Sequence, residues 1–143
     1  KEYIWTSEIF SKANGKKITS GGINFNTTIT EQILINNDLS LDVTKCRIEN
    51  VQIIVSTSGV SKIHELDLRI KSPQCTHTVS CFNSEIISGQ FSSEQLNETP
   101  ILVECFRGEN PLGDWKISFK DVKPNTENRV TKLTLQIFGH ILP

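Results

Sequence analysis

The sequence predicts an all-β protein, an antiparallel sandwich of eight or nine short strands in two sheets. Three observations carry that expectation. Several runs alternate apolar and polar residues, most cleanly Trp115, Ile117 and Phe119 against Lys116, Ser118 and Lys120. Leu66, Leu68 and Ile70 do the same against Asp67, Arg69 and Lys71; a period of two marks a strand with one buried face. Clusters of turn-forming residues separate the runs, and no stretch holds a helical period beyond one turn. Many short strands punctuated by turns, without helices between them, pack as two layers of sheet.

In chain order, residues 1–30 read as an N-terminal linker and first-strand region. Tyr3-Ile4-Trp5 and Ile9-Phe10 are apolar, but no period is sustained, and Asn14-Gly15 and Gly21-Gly22 interrupt it. Trp5 reads as a residue suited to facing a neighbouring domain. Residues 31–143 read as the sandwich proper, the whole being one domain. Ile33-Leu34-Ile35 and Leu39-x-Leu41-x-Val43 are expected as strands around the turn Asn36-Asn37-Asp38. Ile48, Val51, Ile53 and Val55 follow, with branched side chains that suit a pleated surface. The strand from Leu66 ends at Ser72-Pro73, and residues 76–82 are expected as its hairpin partner. A polar excursion over 83–98 leads to a strand over 101–106. The stretch from Gly108 to Gly113 is a turn, because Asn110 precedes Pro111 and is held away from helical angles. It feeds the Trp115 strand. A turn-rich loop over 121–128 precedes a closing strand over 130–138.

Composition narrows the function classes. At 143 residues and 36 % hydrophobic content the chain can bury a core of its own. A net charge of −1 with interspersed signs gives no basic field for nucleic acid. No apolar run approaches the ~18 residues of a membrane span, so membrane contact by this segment is not expected. A chain starting at Lys1 reads as a fragment or a processed form. Asn26-Thr27-Thr28 and Asn97-Glu98-Thr99 are glycosylation sequons.

Three stretches in the right order resemble the P domain (Homo B domain) of subtilisin-like proprotein convertases. Gly108-Glu109-Asn110-Pro111-Leu112-Gly113-Asp114-Trp115, running on to Asp121, resembles the family's Gly-Glu-Asn-Pro-x-Gly-x-Trp motif. Glu65-Leu66-Asp67-Leu68-Arg69-Ile70-Lys71-Ser72-Pro73 is similar to its Gly-Asp-Leu…Ser-Pro strand, with His64 and Glu65 in the Gly-Asp places. Thr131 to Gly139 is similar to its closing strand, which ends on a glycine. The resemblance covers about two thirds of the chain. It implies a jelly-roll arrangement and a non-catalytic domain that folds onto, stabilises and regulates a subtilisin-like serine protease domain of kexin or furin type in the same protein. It also implies the secretory pathway or the extracellular space, which four cysteines suit. Arg107, Cys75 and Leu133 depart from the family pattern. A free-standing secreted or cell-surface binding module with the same sandwich is the alternative.

The chemistry-bearing residues fit an accessory role. His64, His77 and His140 lie in no nucleophile–base signature, and no Gly-x-Ser-x-Gly elbow exists, so no catalytic residue is expected. Glu65, Glu109 and Asp121 read as turn and strand-end polar groups. Calcium is conceivable at such carboxylates, but no Asp-rich loop gathers the six to eight oxygens it needs; no cofactor or metal is expected. Trp115 reads as core rather than a sugar platform. Cys46, Cys75, Cys81 and Cys105 are the disulfide candidates, without zinc-ribbon spacing. With Cys75 and Cys81 on one extended strand, their Cα atoms lie about 20 Å apart, too far to bridge. That leaves Cys46–Cys75 with Cys81–Cys105, or Cys46–Cys81 with Cys75–Cys105.

Overall fold

The computed structural model describes residues 1–19, 21–36, 38–59, 66–74, 95–103, 105–121 and 128–143. Among them the chain forms seven strands: β1 (Tyr3–Lys17), β2 (Ile23–Ile29), β3 (Cys46–Ser58), β4 (Leu66–Lys71), β5 (Thr99–Val103), β6 (Gly113–Asp121) and β7 (Arg129–Ile141). One sheet has the order β1-β7-β3-β5 and the other β2-β6-β4, and all pairings are antiparallel. Each step from one described strand to the next therefore crosses between sheets, the interleaving of a jelly roll. The expected hairpin partner over 76–82 lies outside the described residues, as do Glu65, Cys75 and Cys81.

The alternating residues form the core. Trp115, Ile117 and Phe119 of β6 are fully buried against Ile53, Val55, Leu133, Leu135 and Ile137 of the facing sheet within one hydrophobic cluster. Phe25 meets Phe119 edge-on at 5.8 Å between centroids, and Phe10 meets Phe25 at 5.1 Å. Such edge-to-face pairs add to the area they bury.

Residues 1–30 are not a linker. They form two full strands, with β1 zipped to β7 from Tyr3↔Gly139 to Lys17↔Arg129 and β2 paired along β6. The missing period has a physical cause: the β1 register slips between Glu8 and Phe10 and again between Ser11 and Lys16. Each bulge flips the side chains that follow it. Trp5 does not face outward either. It is buried, stacked beside Tyr3, and its Nε1 donates to the Leu34 carbonyl at 3.1 Å.

Two expected strands are absent. Glu31–Ile35 is a short helix, α1, capped by Thr30, whose Oγ1 accepts from the Ile33 N–H at 3.3 Å. This cap, with Glu31 in the first turn, outweighs the β-branched pair at Ile33 and Ile35. Leu39 to Val43 runs into a single 3-10 turn over Val43–Lys45, capped by Asp42. Leu39 is 82 % exposed, so its spacing with Leu41 is no strand period. The strand expected over 101–106 is β5, which stops at Val103.

Candidate functional site: the motif turn and two sheet faces

The resemblance motifs converge on one end of the sandwich. Ser72, just past β4, is buried, and its Oγ donates to Glu109 Oε1 at 2.6 Å. Glu109 is tied down further through its backbone: its carbonyl accepts from the Ile48 N–H at 2.8 Å, while the Gly108 N–H donates to the Ile48 carbonyl at 2.8 Å. Asn110 Oδ1 accepts from the Leu112 N–H at 2.9 Å, an Asx turn closed across Pro111. Asn110 Nδ2 donates to the Val43 carbonyl at 2.9 Å, and its N–H donates to Gln74 Oε1 at 3.1 Å. Trp115 Nε1 donates to the Pro111 carbonyl at 2.9 Å, and its ring meets Phe106 edge-on at 5.5 Å. Gly113 has φ +126, and a Cβ there would lie 2.7 Å from Pro73 Cβ. The two motifs are therefore one structural lock between sheets.

Glu109 is thus a hydrogen-bonded turn group. Asp121 ends β6 opposite Leu66, and Glu65 lies outside the described residues. Among the described residues no three His, Cys, Asp or Glu side chains cluster as metal ligands would. A depression of about 460 Å³ beside the lock is lined by Thr44, Arg47, Gln74, Gly108, Asn110 and Leu112. His140 Nδ1 lies 3.1 Å from Glu49 Oε1 near one end of the β7–β3 ladder. Gly139 is not the end of the closing strand, which continues to Ile141. A Cβ at Gly139 would run into the Trp5 ring and the Arg47 carbonyl.

Cys46 corrects both expected disulfide pairings. It is a free cysteine, fully buried at the start of β3, opposite Ile141. Its side chain faces the core, and burial pushes the thiol up to about 11. Cys105 is disulfide-bonded. Because the neutral thiol is favoured in the fold, its contribution is complete below the unfolded value near 9 and is lost as pH rises through about 11. The unfolding midpoint should accordingly fall across that window, and Cys46→Ala should flatten the fall. Iodoacetamide at pH 8 should leave the Cys46 peptide unmodified in native protein and label it after denaturation.

The outer faces of the two sheets differ in chemistry. On the four-stranded sheet, cross-strand rows read Ile4–Phe138–Asn50, then Thr6–Gln136–Gln52–Leu102, then Glu8–Thr134–Ile54–Pro100. Glu8 is the single charge in these rows. Ile4 and Leu102 are 48 % and 51 % exposed, and Gln52 Nε2 donates to Gln136 Oε1 at 3.1 Å. Charges gather beyond the rows: Arg47, Glu49 and His140 at one end, the Lys132–Glu98 ion pair (2.8 Å) at the other. The three-stranded sheet instead presents Arg69, Lys71, Lys116 and Lys120. Asn26 is exposed on this second face, and Asn97 is exposed beside β5.

Comparison with solved structures places the sandwich among known folds. The serine protease of Aeromonas sobria is similar over 98 % of this chain and 27 % of its own, at TM-score 0.68 and 17 % identity. A structure of that protease in complex with the chaperone ORF2 matches over 99 % of this chain and 28 % of its own, at TM-score 0.69 and 15 % identity. FLHE is similar over 99 % of this chain and 98 % of its own, at TM-score 0.52 and 9 % identity. No family model and no curated protein matches the sequence. The chain thus spans about a quarter of the protease chains whose fold it shares.

Proposed function

We propose that this chain is an accessory domain of a secreted serine protease, a divergent P domain that packs on a subtilisin-like catalytic domain and stabilises it. The observation that carries the reading is the pairing of motif and likeness. Residues from two of the three stretches that resemble P-domain motifs form one lock, and the whole sandwich is similar to a quarter-length part of a serine protease chain. The band on the four-stranded sheet whose rows carry a single charge, Glu8, is the surface suited to that contact. A face that mixes exposed apolar side chains with uncharged polar ones, depleted in charge at its centre and bounded by charges, is typical of a docking surface. Burying it couples the stability of the two folds. Precursor proteins cut after basic residues would be the substrates of the parent enzyme, and glycans at Asn26 or Asn97 would accompany export.

The test is to identify the sequence adjoining this chain and to produce the two domains together. A subtilisin-like domain stabilised by this chain, with no peptidase activity in this chain alone on dibasic substrates, is the expected result. Leu102→Glu with Ile4→Glu should leave the free chain's stability within about 0.5 kcal/mol, as exposed substitutions do, and abolish the stabilisation. An adjoining sequence with no protease domain overturns the reading. It would favour a free-standing binding module, a reading supported by FLHE, in which the same fold accounts for 98 % of the chain.

A further inference from the structure

We infer that the outer face of the three-stranded sheet binds an acidic segment of a partner protein, through Lys71 and Lys116. The two lysines lie directly opposite each other in the β4–β6 register. Both point outward, because the residues flanking them, Ile70, Trp115 and Ile117, are buried. Like charges directly opposed on a sheet are destabilising. The neighbouring rows show that this sheet otherwise balances its charges. Lys120 stands opposite Asp67, and Asp67 Oδ2 also accepts from Arg69 Nε at 3.2 Å. Asp114, the other carboxylate on the face among the described residues, accepts from Thr28 Oγ1 at 2.6 Å. Neither Lys71 nor Lys116 has an ion-pair partner among the described residues. Among the described residues, four cations therefore face two carboxylates that are already engaged, in a chain whose net charge is −1.

The surroundings decide between anionic partners. The neighbours of the pair on β2 and β6 are Asn24, Asn26, Thr28 and Ser118, small hydrogen-bonding groups without an apolar anchor for a bilayer. Arg69, the side chain best shaped for a phosphate fork, is held by Asp67. What remains is two lysines on backbones one strand spacing apart, about 4.8 Å, within a neutral polar rim. Alternate Asp or Glu side chains (i and i+2) of an extended segment share one face about 6.6 Å apart, within reach of two flexible lysines. This inference does not depend on the protease reading, since it uses the opposite face, but it requires Asn26, the register partner of Lys116, to carry no glycan.

The test uses the full chain made in bacteria, hence without glycans, and a fluorescent oligoglutamate peptide followed by anisotropy at ~25 mM salt. Saturable binding that weakens with salt is expected. Lys71→Gln with Lys116→Gln should weaken it about tenfold or more, equivalent to ~1.4 kcal/mol, while the thermal midpoint stays level or rises as the like-charge pair is relieved. Lys116→Gln alone, at an exposed position, should show the same direction, and Lys132→Gln on the other sheet should change nothing. No saturable binding, or a double variant that binds as the parent does, overturns the proposal. So does tighter binding to phosphatidylserine vesicles or single-stranded DNA than to the peptide.

Discussion

Trp115→Ala should lower the stability of the sandwich by about 3–5 kcal/mol, the range for truncating a buried aromatic. The ring is fully buried, meets Phe106 edge-on, and donates to the Pro111 carbonyl. Alanine would leave a cavity and strip that carbonyl of its donor. Trp115→Phe separates the two losses, since it keeps most of the apolar volume and should recover all but the hydrogen-bond share, about 1 kcal/mol plus local repacking. Urea denaturation measures both. An alanine variant with the parent's midpoint would place the ring outside the core.

The second large effect is expected at Gly139. Its backbone passes directly under the Trp5 ring, where a side chain has no room. Gly139→Ala should cost about 1–3 kcal/mol as overpacking, and Gly139→Val more. The cost is shared between the Trp5 ring and the Arg47 carbonyl, so the part owed to Trp5 should couple the two sites while the backbone part remains. Gly139→Ala in a Trp5→Leu background should cost clearly less than in the parent, a difference a double-mutant cycle reads as interaction energy. Additive losses would show that the glycine is needed for another reason.

Much of the fold was legible because its central strands keep a strict period. Leu68, Ile70, Trp115, Ile117 and Phe119 announce which face is buried, and they are buried. Even Ile48 and Val51, three apart, belong to one strand, since β3 slips its register between Ile48 and Asn50. The same kind of slip hid β1, where two bulges break the alternation before it can be recognised. The apolar run Ile33-Leu34-Ile35 conceals helix α1, whose local signal is the Thr30 cap. Cys46 was misjudged because a count of cysteines says nothing of which sulfur faces the core. The Ser72–Glu109 bond and the Lys71–Lys116 opposition depend on which strands are neighbours across long stretches of chain. Only the register supplies that.

The order of strands also bears on how the molecule comes to be made. β1 has its partner in β7, so residue 3 must wait for residue 139 before its backbone bonds can form. Pairing across nearly the whole chain is slow to find, because loop closure must come before any contact rewards it. On the ribosome the first strand would emerge long before the last, with its apolar face (Trp5, Phe10) unpaired and open to wrong partners. Refolding should therefore be slow for a domain of this size and sensitive to protein concentration, and deleting residues 129–143, which removes all of β7, should leave β1 without its partner however well the remaining strands associate.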